Sequence, residues 1–125
     1  RGVKIYNDNN ATTPDATIAA LRSFDAGKIV LICGGSDKGL DLNALEQEIK
    51  KSCKAVIILP GTGSDRLKVD AVKAQNLEEA VSKAMEVSAG GDIILFSPAF
   101  ASFGSFKNEY DRNDQFLDII GKIHD

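Results

Sequence analysis

Cysteine and histidine, the side chains that most often ligate transition metals or form disulfides, are scarce in this 125-residue chain. The two cysteines, Cys33 and Cys53, do not form a Cys-x-x-Cys pair, and the single histidine, His124, lies next to the last residue. Neither a metal site nor a disulfide is therefore expected. Free thiols fit a reducing cytoplasm, which is the expected compartment.

Long apolar runs and a basic stripe are also absent. No run approaches the roughly 20 apolar residues of a membrane-spanning helix, and no basic-then-apolar signal segment opens the chain. The formal net charge is -3 and the lysines are dispersed, whereas nucleic acids and anionic membranes attract clustered basic residues. Neither a nucleic acid nor a membrane is expected as a partner, and small anions remain possible ligands at local basic positions.

Three common catalytic or nucleotide-binding motifs are missing. The glycine-rich segment at 34–39 has neither the GxxxxGK[ST] spacing of a phosphate-binding loop nor the GxGxxG spacing of a dinucleotide site. Ser102 lies outside any GxSxG motif, and no histidine other than His124 is present to activate it. No catalytic residue is therefore predicted in this chain.

The pattern of apolar residues predicts one α/β domain. The chain is long enough for a single compact core and too short for two. Strands are predicted at 3–6, 28–33, 54–59 and 93–96, with a brief strand or loop at 69–74, and helices at 13–23, 41–52, 64–68, 76–88 and 107–123. This alternation is typical of a Rossmann-like three-layer α/β/α sandwich with a mostly parallel sheet.

Polar connections follow three of the predicted strands. They are the first loop (residues 7–13), the second loop (34–41) and the third loop (97–108), which begins with a Ser-Pro step directly after an apolar run. The carboxyl ends of parallel strands meet at one edge of a sheet, and ligands of open α/β sheets bind there. The three loops are therefore expected to converge on one ligand.

Several side chains in the first two loops suit an anionic or nucleotide ligand. Asp8 can bind a ribose hydroxyl or a metal-bound water, and the Thr12 hydroxyl can bind an anion at the start of the next helix. Lys38 carries a compact positive charge that suits a carboxylate or a phosphate. The alternatives are a simple polar turn with helix caps in the first loop, and a solvated lysine in the second.

In the third loop, Ser102 and Phe103 are expected to begin a helical turn. Its free N–H groups, together with the Ser102 hydroxyl, can hold a carboxylate. Phe103 and Phe106 are more typical of core packing than of ligand contact, and Lys107 and Arg112 are consistent with the exposed face of the last helix.

Taken together, the motifs in the three loops resemble the C-terminal domain of the Mur ligases. They read N-D-x-x-A-T from Asn7 to Thr12, G-G-x-D-K-G from Gly34 to Gly39, and S-P-A-x-A-S-F followed by F-K-N and R from Ser97 to Arg112. They occur in the family's order and spacing, and the resemblance extends over nearly the whole chain. It is strongest to the members that add D-glutamate.

The resemblance implies an ATP-dependent ligase of peptidoglycan synthesis. In such a ligase, ATP phosphorylates the terminal carboxylate of UDP-N-acetylmuramoyl-L-alanine, and the amine of D-glutamate attacks the acyl phosphate to form an amide. Two other domains hold most of the UDP-linked substrate, ATP and Mg2+. Residues 1–125 are then an excised C-terminal domain that positions D-glutamate, closes over ATP and is inactive alone.

The resemblance also assigns roles to residues. The substrate-binding residues are Thr12, Lys38, Ser102 and Phe103, and those on the nucleotide side are Asp8 and Asn10. Thr12 and Lys38 match the positions for one carboxylate, and Ser102 with nearby N–H groups matches those for the other. The chain departs from the family where Asn10 replaces a common lysine, and where Tyr110 stands one residue later than the usual aromatic.

Two alternatives to this interpretation remain. The first is the C-terminal domain of another Mur ligase that adds a different amino acid. The second is a stand-alone flavodoxin-like binding module, which would need a complete site of its own, such as a cluster of aspartates at the sheet edge.

Overall fold

The computed structural model describes residues 2–102 and 106–123. Within them, the strands are β1 (Lys4–Asn7), β2 (Ile29–Cys33), β3 (Cys53–Ile58), β4 (Val72–Lys73) and β5 (Ile93–Phe96). The helices are α1 (Pro14–Leu21), α2 (Asn43–Ser52), α3 (Thr62–Arg66), α4 (Leu77–Val87) and α5 (Glu109–Gly121). The predicted alternation is confirmed, and most predicted boundaries lie within two residues of the observed ones.

The described strands form one parallel sheet in the order β1-β5-β2-β3-β4. β5 is the last of the described strands in chain order, yet it lies between β1 and β2 and is hydrogen-bonded to both. The connection that leaves β5 therefore emerges between the connections that leave β1 and β2. This insertion brings the third loop between the first and the second.

Helices cover both faces of the sheet, which confirms the Rossmann-like three-layer fold. In β2 every residue is buried, and successive side chains point to opposite faces. Leu31 packs in a core cluster with Leu21 of α1 and Leu45 of α2. Val30 packs in a second cluster, on the other face, with Ala80 of α4 and Phe116 of α5.

Side-chain caps fix where α1, α4 and α5 begin. Thr13 Oγ1 accepts a hydrogen bond from Ala16 N at the start of α1, where Pro14 is the first helical residue. Asn76 and Asn108 cap α4 and α5 in the same way. Across the part of the chain that the structure describes, each helix is too short or too polar to cross a bilayer.

A buried carboxylate joins α1 to α2. Glu48 of α2 is 6% exposed, and its carboxylate accepts hydrogen bonds from Ser52 Oγ at 2.7 Å and from Arg22 Nε at 2.9 Å. Two hydrogen bonds lower the pKa of Glu48 below its ordinary value of 4.5. The bond from Ser52 has the larger effect and the bond from Arg22 the smaller. The charged form of Glu48 therefore stabilises the contact between the two helices.

We expect Glu48→Gln to remove an acid-sensitive part of the stability. A folded pKa below 4.5 means that the contribution of Glu48 is complete above pH 4.5 and declines as the pH falls through the folded value. The free energy of unfolding of the variant should therefore lie below that of the wild type at pH 7, and the difference should be smaller at pH 3. Urea titrations at both pH values test this, with Glu86→Gln, an exposed position of α4, as the control. A difference in free energy of unfolding between variant and wild type that grows at low pH would contradict the prediction.

Candidate functional site

The first and third loops are joined where β1 and β5 end. Asp8 N donates a hydrogen bond to Phe96 O at 2.7 Å, and Ala99 N donates to Ala11 O at 2.8 Å. Ala99 is buried and adopts a left-handed backbone with φ 70°, which is uncommon for a residue with a side chain. The third loop thus turns sharply at Ala99 and keeps its contact with the first loop.

The second and third loops are joined in a similar way. Gly34 N donates to Pro98 O at 2.9 Å, and Ser36 N donates to Ala101 O at 2.9 Å. Ser36 and Ala101 also form an isolated antiparallel bridge. The three loops therefore meet at the carboxyl edge of the sheet, as predicted from the sequence.

Asp8 is held in place by the hydroxyl of Ser97, the first residue of the third loop, and Ser97 in turn contacts Thr17, which the sequence did not single out. Ser97 Oγ donates to Asp8 Oδ2 at 2.8 Å, and the Ser97 hydroxyl lies 2.9 Å from Thr17 Oγ1. Ser97 and Thr17 are both fully buried, whereas Asp8 is half-buried. The Asp8 carboxylate is thereby fixed at the rim and retains lone pairs for a further donor.

Arg112 is buried at the base of the site, which corrects the expectation that it lies on an exposed helix face. Its guanidinium donates to Asn9 Oδ1 at 2.7 Å, to Asn9 O at 2.9 Å and to Phe100 O at 3.1 Å. Burial lowers its pKa to about 10, so the group stays charged at neutral pH. One indication was available in the sequence, because Arg112 precedes the core residue Phe116 by four positions and shares its helix face.

The second loop is braced against α3 next to Lys38. Asp37 Oδ1 accepts a hydrogen bond from Gly39 N at 2.9 Å and forms an ion pair with Arg66 at 2.5 Å. Asp37 N donates to Thr62 Oγ1 at 3.0 Å. The Gly39 hydrogen bond is the main cause that lowers the pKa of Asp37. Lys38 is exposed on this braced turn, and its side chain faces solvent.

The other predicted site residues take different positions at the same edge. Thr12 is half-buried beside Ala11, whose carbonyl binds the third loop, and Asn10 is exposed. Lys38 follows Ser36, which also binds the third loop, by two residues. Phe103 lies outside the described residues.

Ser102 already binds a carboxylate that belongs to the chain itself. It is 2% exposed, and its Oγ and N donate to Glu109 Oε2 at 2.9 Å and 3.4 Å. The hydrogen bond from the Ser102 hydroxyl is the main cause that lowers the pKa of Glu109, and the bond from Ser102 N adds to it. Ser102 itself is not helical, and the rest of the turn expected at Ser102 and Phe103 lies outside the described residues.

A small cavity lies at this edge of the sheet. The cavity beside Ser102 has a volume of about 70 Å³, and its lining includes Gly35, Pro60, Phe106 and Arg112. Typical small-molecule pockets enclose about 300–1,000 Å³. In residues 2–102 and 106–123, no three His, Cys, Asp or Glu side chains lie together as they would around a metal ion.

A comparison with protein families assigns this chain to a family. The family described as "Mur ligase, glutamate ligase domain" matches residues 1–100. The chain belongs to the Mur ligase family. The match includes the first two loops of this Mur ligase domain and the start of the third, and it confirms the resemblance stated from the motifs.

Curated relatives extend the similarity of the Mur ligase domain to nearly its whole length. It is 43% identical to the UDP-N-acetylmuramoylalanine–D-glutamate ligase of Roseiflexus sp. (strain RS-1) over 129 residues, covering 95% of this chain and 28% of the relative. The ligases of the same name from Aquifex aeolicus (strain VF5) and Hahella chejuensis (strain KCTC 2396) are 39% and 45% identical, covering 95% and 92% of this chain. The chain spans 28–30% of the length of these three relatives.

Proposed function

We propose that residues 1–125 are the C-terminal domain of a ligase that joins D-glutamate to UDP-N-acetylmuramoyl-L-alanine at the expense of ATP, in peptidoglycan synthesis. The family match and the shared name of the three relatives support this assignment. They do not favour the alternatives of a different amino acid or a flavodoxin-like module. Because the reaction consumes ATP, we place it in the cytoplasm.

The convergence of three loops at one sheet edge is the observation that carries the proposal. D-Glutamate has two carboxylates and therefore needs two anion-binding groups. We assign Thr12 and Lys38 to one carboxylate, and Ser102 with its main-chain N–H to the other. Each of these residues lies within two positions of a hydrogen bond that links its loop to a neighbouring loop. Phe103 remains a predicted contact outside the described residues.

The chemical contribution of this domain is the positioning of an amine. In the proposed reaction the D-glutamate nitrogen forms a bond to the acyl carbon, phosphate leaves after a tetrahedral intermediate, and the amine loses a proton. Holding the nitrogen against that carbon removes much of the entropic barrier to a reaction between two molecules. Asp8 and Asn10 face the nucleotide side, and Mg2+, which neutralises phosphate charge, binds mainly to the rest of the enzyme.

We expect Lys38→Ala in the full-length enzyme to raise the KM for D-glutamate by about tenfold or more. A charge-assisted hydrogen bond contributes about 1.5–3 kcal/mol, and a tenfold change in binding corresponds to about 1.4 kcal/mol. The KM for ATP should not change, because the assigned role of Lys38 is limited to D-glutamate. ADP release at varied D-glutamate concentration provides the measurement.

Lys50→Ala is the matched control, because Lys50 is an exposed lysine on α2. It should leave the KM for D-glutamate unchanged. An unchanged KM in the Lys38 variant would remove Lys38 from the site. ADP release that depends on another amino acid, and not on D-glutamate, would contradict the proposed substrate.

A further inference from the structure

The contact between Ser102 and Glu109 places a carboxylate of the chain on a group that the proposed function assigns to the substrate. Ser102 Oγ and Ser102 N both donate to Glu109 Oε2. The carboxylate of a glutamate side chain is the same chemical group as the side-chain carboxylate of D-glutamate. Ser102 therefore holds, within the domain itself, the kind of ligand that it is assigned to bind.

Ser102 cannot hold two carboxylates in this way at once. A serine offers one hydroxyl proton and one main-chain N–H, and both are donated to the same oxygen of Glu109. Ser102 is 2% exposed, so its two donors are shielded from bulk water, and within residues 2–102 and 106–123 their partner is a carboxylate. A substrate carboxylate and Glu109 therefore exclude each other at Ser102.

The side chain of Glu109 can leave without disturbing its backbone. Asn9 Nδ2 donates to Glu109 O at 2.9 Å, and Asn108 caps α5 through Asp111 N at 2.8 Å. Glu109 is half-buried and is the first residue of α5. A displaced carboxylate would remain in the first turn of the helix, where negative charge is favoured. Displacement thus leaves the backbone of α5 in place and requires the Glu109 side chain to rotate away from Ser102 and from the charge of Arg112.

We infer that Glu109 is an intramolecular competitor for the carboxylate-binding group of Ser102, and that it sets the affinity for D-glutamate. This inference rests on the proposed function of Ser102. D-Glutamate binds Ser102 in those molecules whose Glu109 side chain has rotated away. The apparent dissociation constant is the intrinsic value divided by that fraction, so a displaced fraction of about one-tenth weakens binding about tenfold.

The decisive variant is Glu109→Ala in the full-length enzyme, with ADP release as the assay. The KM for D-glutamate should fall by about fivefold to tenfold, since the competitor is gone and Ser102 keeps its donors. The KM for ATP should stay constant. Glu109→Gln, which keeps the length of the side chain and weakens its bond to Ser102, should lower the KM by a smaller factor. An unchanged or raised KM in either variant overturns the inference.

Glu78→Ala is the matched control. Glu78 is exposed in the first turn of α4, which is capped by an asparagine as α5 is, so the substitution removes the same charge from the same kind of position. The KM for D-glutamate should not respond to it. An equal fall in both variants would assign the effect to net charge and would overturn a specific role for Glu109.

A titration of the 125-residue chain with acetate separates this inference from the proposed function. The amide resonance of Ser102 is followed by NMR in the wild type and in Glu109→Ala. A stronger response to acetate in the variant supports the competition. If the full-length enzyme then did not use D-glutamate, that result would contradict the proposed function and leave the competition supported. An equal response, or none in either protein, overturns the competition.

Discussion

Replacing Arg112 with methionine is expected to lower the free energy of unfolding by about 3–5 kcal/mol. Arg112 is 1% exposed, and among residues 2–102 and 106–123 its guanidinium supplies the hydrogen bonds to Asn9 Oδ1, Asn9 O and Phe100 O. Methionine preserves the apolar stem and removes all of these donors. Each buried acceptor left without a donor costs about 1–3 kcal/mol, so the losses combine to a large fraction of a typical domain's stability.

The same substitution should also separate the loops of the site. Arg112 connects Asn9 in the first loop to Phe100 in the third, and these loops carry Thr12 and Ser102. We therefore expect a higher KM for D-glutamate in any Arg112→Met enzyme that folds. Arg112→Lys should give an intermediate loss of stability, because an ammonium group keeps the charge and lacks the planar fork that reaches both partners.

Urea unfolding of the 125-residue chain measures this effect, and Arg66→Met is the control. Arg66 also pairs with an acidic side chain, but the pair lies at the surface, with side-chain exposures of 43% and 29%. Such pairs contribute little to stability. If Arg112→Met lost no more stability than Arg66→Met, the buried guanidinium would not be the connection that holds the loops together.

The second large effect is expected from Gly61→Ala. A methyl group on Gly61 would overlap with the carbonyl oxygen of Gly35 and lie 3.0 Å from Gly35 Cα. That oxygen also accepts a hydrogen bond from Gly63 N at 2.9 Å, which joins the second loop to the start of α3. Because the methyl group would overlap with backbone atoms, no side-chain rotation can relieve it, and we expect a loss of about 2–4 kcal/mol.

Gly27→Ala is the control for this prediction. Gly27 has φ 84°, which is unfavourable for alanine, but a methyl group there would meet no atom within 4 Å. It should therefore cost only about 1–2 kcal/mol, which is the penalty for a left-handed backbone. Urea unfolding of the two variants should separate them. Equal losses would mean that backbone conformation, and not the approach of Gly61 to Gly35, explains the effect.

The sequence predicted the elements of the fold well because their signals are local. Runs such as 28–33 are apolar over the length of a strand, and Thr13-Pro14-Asp15 favours a helix start in isolation. The expectation for Arg112 was wrong because its burial depends on acceptors in loops that are distant in the chain. An arginine at that position is solvated by default, and only the carbonyls of Asn9 and Phe100 make the interior favourable.

The contact between Ser102 and Glu109 was also missed, although the two residues are close in the sequence. Ser102 was expected to bind a carboxylate, and no pattern identified the chain's own Glu109 as its partner. The contact depends on where α5 begins, which Asn108 fixes, and on the path of the third loop before it.

The sequence and the tertiary structure therefore determined different features of this protein. The sequence by itself determined the alternation of strands and helices, the polar loops after three strands and, through their motifs, the family. The tertiary structure decided that β5 inserts between β1 and β2, and hence which loops touch. The physical reason is that secondary structure follows from periodicity and caps within a few residues, whereas strand order and buried polar contacts follow from packing between distant segments.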